Sequence, residues 1–304
     1  MTNATNGGQR PAHKSNAHFP SVQPFLKWPG GKRWLVPELV KIIEGHDYGT
    51  YREPFLGGGA LFFALRPKQS VLSDINSDLI NTYRQVKYKT PELLEQLRSI
   101  PIDQVTYQHF RESHPKSSLE KAVRFLYLNR TAFGGMYRLN QQGEFNVPFG
   151  GGERTTAPLW DYNLLASSAR ALRGSKLLSA DFEQAIVEAK KGDLVYCDPT
   201  YTVAHNNNGF IRYNERNFSW ADQQRLSRSC HSAAARGVLV IVSNAYHREV
   251  LDLFAPPQYV AVARTSRLCP DVTHRGLVDE YLFIFPPGKP RKARSQDRRG
   301  VHEE

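Results

Sequence analysis

Asp198, Pro199 and Tyr201, which follow the apolar run Leu194-Val195-Tyr196-Cys197, are the residues of this chain best suited to chemistry. The run reads as a buried strand, so these residues lie at its carboxyl end, where open α/β sheets bind their ligands. A carboxylate, a backbone carbonyl aimed by a proline and an aromatic face can together grip a planar heterocycle that carries an exocyclic amino group. A nucleobase amine is such a group. The competing reading is an ordinary Asp-Pro turn after a strand, and the rest of the chain has to decide between them.

Three further segments could serve a ligand. Phe25-Leu26-Lys27-Trp28-Pro29-Gly30-Gly31-Lys32 sets an indole beside a flexible glycine pair and a lysine; it suits a lid with one cation, or equally a turn before a helix. Tyr51 to Phe63 reads as a strand, the glycine loop Gly57-Gly58-Gly59 and an apolar helix start. The loop lacks a clean G-x-G-x-x-G and has no Walker Lys-Ser/Thr, so it suits a nucleoside ligand without a cradled pyrophosphate. Asp74, about fifteen residues further on, stands where a carboxylate can hold a ribose diol; its plain alternative is a helix N-cap.

Short apolar runs at 71–73, 176–178, 194–196, 238–242 and 281–285 suit buried parallel strands. Helical patterns at 183–190 and 221–235, the latter after Ser219 as an N-cap, lie between some of them. This alternation predicts an α/β fold with a Rossmann-like, doubly wound, mostly parallel sheet. Residues 91–160 break it, with helical patterns at 91–100 and 118–129, and read as an inserted, mostly helical subdomain. The expected plan is a tail at 1–20, a main domain at 21–90 and 161–286, the insertion at 91–160, and a basic tail at 287–304. Both tails read as disordered.

The chain has 304 residues, 40% of them hydrophobic, enough for a sizeable core, and a net charge of +11. Six basic and three acidic residues in 289–304, and two basic ones in 1–20, leave the body itself at +6. Such a field attracts polyanions. No run approaches the roughly 20 apolar residues of a membrane span, and the polar first twenty residues hold no signal-like core, so a cytoplasmic protein is expected. The three cysteines, Cys197, Cys230 and Cys269, are odd in number and far apart, which argues against a disulfide framework or a thiolate metal site. A monomer is the expectation.

Six blocks decide the matter: Lys27 to Lys32, Glu53 to Gly59, Asp74 to Ile80, Phe125 to Arg130, Gly143 to Gly150 and Asp198 to Tyr201. In this order they resemble the Dam-type (D12 class) DNA adenine-N6 methyltransferases of prokaryotes and phages, across roughly residues 24–286. The resemblance implies S-adenosylmethionine as cofactor, held by Trp28, Lys32, Phe55, Gly57, Gly59, Asp74, Asp198 and the Asp181-Phe182 pair. It implies double-stranded DNA as partner, no metal, and a target-recognition role for the insertion. Lys27, Arg130, Phe133, Met136, Arg138 and Pro148 are then the DNA-recognition candidates, and Asp198, Pro199 and Tyr201 the catalytic ones.

The chemistry supports that comparison. An adenine N6 lone pair is delocalised into the ring; hydrogen bonds from its two N–H groups to Asp198 and to the Pro199 carbonyl would localise it. Tyr201 would stack on a base flipped out of the duplex. Arg138 can meet guanine O6 and N7, Met136 a thymine methyl, and Phe133 can wedge between base steps. By residue type alone Phe133 and Met136 suit a core, and Arg138 suits a phosphate or the surface.

Thr200 stands where this family usually has a second proline, and the lost preorganisation should cost about 0.4–1 kcal/mol. Gly134 stands where Asn is common, which points to a target related to, and not necessarily identical with, GATC. A cytosine-N4 methyltransferase, a non-enzymatic DNA-binding module with a decayed loop, and an enzyme acting on RNA or another amine are the other readings.

Overall fold

The computed structural model describes residues 22–140, 142–151, 159–202, 218–265 and 277–288. The expected tails, apart from Pro287 and Gly288, and Cys269 lie outside them. The fold is α/β, built on a seven-stranded sheet in the order β3-β2-β1-β4-β5-β7-β6. The strands are β1 Tyr51–Glu53, β2 Ser70–Asp74, β3 Ser175–Ser179, β4 Leu194–Cys197, β5 Leu239–Ala245, β6 Gln258–Thr265 and β7 Leu277–Phe285. The first five run parallel, and β7 inserts antiparallel between β5 and β6.

The sheet is covered on both faces, which is why its strands read as continuous apolar runs. Successive side chains point to opposite faces. Leu194, Tyr196, Leu239 and Ile241 therefore join one core, and Val195, Cys197, Val240 and Val242 join the other. Helices Phe182–Val187, Trp220–Ala235 and Arg248–Phe254 complete the second core through Phe182, Ile186, Leu226, Val250 and Phe254. Ser219 starts Trp220–Ala235 with a capping box to Asp222, as its sequence position suggests.

The segment between β2 and β3 folds into helices Ser77–Tyr88, Thr90–Ser99, Gln104–Glu112, Ser118–Thr131 and Tyr162–Ala171. Its Leu93, Leu97, Tyr107 and Leu126 pack into the same core as Leu72 and Leu177 of the sheet, so it is anchored on the sheet. Three of these helices, Ser77–Tyr88, Gln104–Glu112 and Tyr162–Ala171, and strand β6 have no counterpart in the sequence reading. β6 is an edge strand whose residues 258–261 are exposed, so burial imposes no apolar pattern on it.

Candidate active site

Strand register gathers the chemistry at the carboxyl end of the sheet. Cys197 lies beside Val242, and the next residues, Asp198 and Ser243, meet: the Ser243 hydroxyl donates to Asp198 Oδ1 at 2.7 Å. Tyr196 Oη lies 3.1 Å from Ser243 Oγ, behind them. In the antiparallel pair, Glu280 lies opposite Ala245 and reaches the same end from β7. The Lys32 ammonium, just before helix Val36–Ile43, donates to Glu280 Oε2 at 2.8 Å and stands 3.6 Å from Asp198 Oδ1. It also bonds the Tyr201 hydroxyl.

Pro199 is buried and Thr200 exposed, so the threonine at the usual proline position faces away from the packed side of the loop. The loop is tied down one residue later: Gln223 donates to Thr202 Oγ1 at 3.3 Å and accepts from Asn244 at 3.0 Å.

Burial raises the Asp198 carboxyl above its usual range; Lys32 and the Ser243 hydroxyl oppose that shift, and Glu280 adds to it. Its side chain keeps 22% exposure. Glu53, at the end of β1, is pushed up to about 8, chiefly by burial, although the Tyr51 hydroxyl at 2.7 Å and the Phe62 amide favour its charged form. Its folded value lies above its unfolded one, so its contribution to stability is full at low pH and is lost as the pH rises from about 4.5 to about 8. Glu53→Gln has no such proton to lose. Melting curves should show this variant gaining on the native chain across that window, and a constant gap would exclude a buried proton on Glu53.

The glycine loop is built for close approach. Gly57 and Gly59 have φ of +44° and +66°, which favour glycine. The Trp28 indole lies on the loop, within contact of Gly57 and Gly58, and stacks on Tyr137 at 5.4 Å. Asp74 is not an N-cap; Asn76 caps the following helix. The Asp74 carboxylate instead accepts from the Gly57 amide at 3.0 Å and the Asn76 amide at 2.9 Å, so loop and carboxylate are fixed to each other. Ile75, 72% exposed, puts an apolar surface next to it.

Asp181 and Phe182 sit differently from the other cofactor candidates. Asp181 caps its own helix and pairs with Arg225 at 2.8 Å, while Phe182 is buried against Phe55 at 5.3 Å with the Arg225 guanidinium over its ring.

Among the recognition candidates, Phe133 is 58% exposed, and its amide donates to the carbonyl of Pro148, itself exposed, at 2.9 Å. Isolated bridges Ala132–Phe149 and Leu139–Phe145 fold the segment back on itself. Lys27 is exposed, and its backbone makes two hydrogen bonds with the Asn129 amide side chain, which ties the lid to helix Ser118–Thr131. The Lys27 stem lies over Gly135. Met136 is half-buried against the core. Arg138 is exposed and braces Asn146 at 2.8 Å; Arg130 is half-buried and donates to the Leu159 carbonyl at 3.3 Å. Gly134 adopts φ +62°, a conformation that Asn also tolerates, so glycine suits the backbone of this turn.

The fold thus brings Lys32, Asp198, Pro199 and Tyr201 together and sets Trp28, Gly57, Gly59 and Asp74 in a second cluster. Glu53, Ser243, Glu280 and Asn129 are additions that the sequence reading missed. Glu280 opens the apolar run Tyr281–Phe285 and Glu53 ends a short strand, so an acid at a strand terminus was the available signal. Among the described residues no cluster of three or more His, Cys, Asp or Glu could hold a metal, and no helix is long and apolar enough to cross a membrane.

Residues 28–265 match the model of the D12 class N6 adenine-specific DNA methyltransferase family. A type II methyltransferase of Lactococcus lactis subsp. cremoris, M1.LlaDCHI, is 38% identical over 234 residues, covering 74% of this chain and 81% of the relative. The DNA adenine methylase of Serratia marcescens is 32% identical over 268 residues, covering 86% and 97%. That of Escherichia coli K12 is 30% identical over 270 residues, covering 87% and 95%.

Proposed function

The chain belongs to the D12 class of N6 adenine-specific DNA methyltransferases, and we propose that it methylates a flipped-out adenine in a short duplex site, with S-adenosylmethionine as the methyl donor. Its activity is the methylation of DNA at the N6 amine of adenine. The observation that carries the residue assignment is the Asp198 carboxylate, fixed through Oδ1 by Ser243 while Oδ2 has no partner among the described residues.

In this reading the amine donates one N–H to Asp198 and the other to the Pro199 carbonyl, which localises the nitrogen lone pair. Tyr201, held at its hydroxyl, offers its ring to the base. When the nitrogen gains a carbon it must lose a proton, and Asp198, held above the usual carboxylate range, is placed to take it. The cofactor, when bound, supplies an activated one-carbon group on a sulfonium. The residues fit it: Asp74 offers acceptors to a ribose diol, Ile75 an apolar face to a purine, and the glycine loop a backbone that a ligand can approach. An anionic substrate suits the basic body of the chain.

Methyl transfer from labelled S-adenosylmethionine to unmethylated duplex DNA, followed by base analysis and mapping, tests this reading. N6-methyladenine at GATC or a related site is expected. N4-methylcytosine, preference for RNA, or cofactor-independent binding without product would overturn it.

The exposed Phe133 beside Pro148 is the wedge in this scheme. Phe133→Ala is expected to lower DNA affinity on the order of 10-fold, as loss of one base–aromatic contact does, with cofactor affinity unchanged. Fluorescence of 2-aminopurine at the target position should rise on binding the native protein and stay low with the variant. An equal rise would remove Phe133 from base extrusion.

A further inference from the structure

We infer that Glu280 is a positioning residue of the amine-gripping loop: its carboxylate draws the Lys32 ammonium to itself and so keeps Asp198 free to accept from the target amine. This rests on Asp198 being that acceptor, as proposed above.

Two carboxylates face one ammonium here, and the distances show which of them holds it. Lys32 Nζ is at hydrogen-bond distance from Glu280 Oε2, 2.8 Å, and outside it from Asp198 Oδ1, 3.6 Å. The Asp198 oxygen is instead served by Ser243, a neutral donor. A direct ammonium–Asp198 bond would compete with the amine for the same lone pairs and draw charge from them. Tyr201 is held by the same ammonium, its hydroxyl accepting from Lys32. Glu280 is fully buried, and its Oε1 has no hydrogen-bond partner among the described residues. Such an orphaned oxygen is costly, and a hydrophobic residue of the same volume often serves stability as well or better than a buried ion pair. The arrangement therefore points to the site rather than to the core.

Glu280→Gln keeps the shape and an acceptor but removes the charge. The ammonium should then settle on Asp198, and kcat should fall about 10²-fold, the scale of a misplacement of about 1 Å, with little change in KM for S-adenosylmethionine. Asp198 is faced by Lys32 of the lid, Glu53 of β1, Tyr196 of β4, Ser243 of β5, Glu280 of β7 and Tyr201 of its own loop. Of these, Glu280 contributes a negative charge that raises the Asp198 carboxyl. Its removal should move the acid limb of the kcat–pH profile to lower pH, whereas Glu280→Asp should keep that limb and recover part of kcat.

A Glu280→Gln enzyme with native kcat and a native acid limb would overturn the inference. Loss of kcat together with thermal midpoint, with the acid limb unmoved, would overturn it too, since that describes a structural role. Asp198→Asn, assayed alongside, separates the two levels. If it is active, the reading of Asp198 fails; if it is inactive while Glu280→Gln behaves as native, only the role of Glu280 fails.

Discussion

Asp198→Ala is expected to lower kcat for DNA methylation by about 10²–10³-fold, the scale seen when one preorganised polar partner of a reacting group is removed. The methyl side chain offers no acceptor to the amine and nowhere for its proton to go. Asp198→Asn should fail comparably, because an amide presents N–H groups of its own toward the incoming amine. The fold should not suffer. Burial already disfavours the Asp198 charge, and without it Lys32 keeps its stronger partner, Glu280, at 2.8 Å. A thermal midpoint equal to or above that of the native chain therefore accompanies the lost activity, the trade-off expected of a residue held for chemistry. Steady-state methylation with labelled cofactor and a melting curve on the same sample check both halves. Native-like turnover would leave the amine without its acceptor and sink the assignment.

Gly57→Ala should do the most damage on the cofactor side. A Cβ there would lie 2.8 Å from Cδ1 and Nε1 of Trp28, and the backbone sits at φ +44°. The indole has little room to yield, because it stacks on Tyr137 at 5.4 Å and Phe125 at 6.3 Å. Left-handed strain and overpacking together should cost about 2–4 kcal/mol. The Gly57 amide also donates to Asp74, so a shift of the loop misplaces that carboxylate and should weaken S-adenosylmethionine binding on the order of 10-fold. Gly30→Ala is the matched control. Its φ is +75° but no heavy atom lies within 4 Å of the added carbon, so only strain of about 1 kcal/mol applies. Urea titrations of both variants and calorimetric titration with the cofactor give the comparison. Equal losses at the two positions would show that Trp28 does not press on the loop.

The local parts of the site were legible because each is written in contiguous residues. Asp198-Pro199 and Asp74 both follow apolar runs, and a carboxylate just past a buried strand is visible without a structure. Gly57 and Gly59 announce a loop for the same reason. Glu280 was not legible. Whether the Glu280 side chain turns toward the site depends on the parity of an antiparallel strand set by its pairing with β5. Asn129 and Lys27 are 102 positions apart, yet they exchange two hydrogen bonds that seat the Lys27 segment on helix Ser118–Thr131. Arg130 and Arg138 show how residue type and packing can speak differently. Their type suits DNA, but in this structure their guanidinium groups are bonded to Leu159 and Asn146.

By itself the sequence determined the α/β class, the family and the residues proposed to grip the amine, because strand period, glycine placement and motif order are properties of neighbours along a chain. Only the tertiary structure decided how Lys32 is shared. A charge takes the nearest compensating partner in low dielectric, and that partner, Glu280, comes from β7, nearly 250 residues away in the sequence. Burial first and that choice second set the state of Asp198, so the electrostatics of the site belong to the packing of the sheet and not to any one motif.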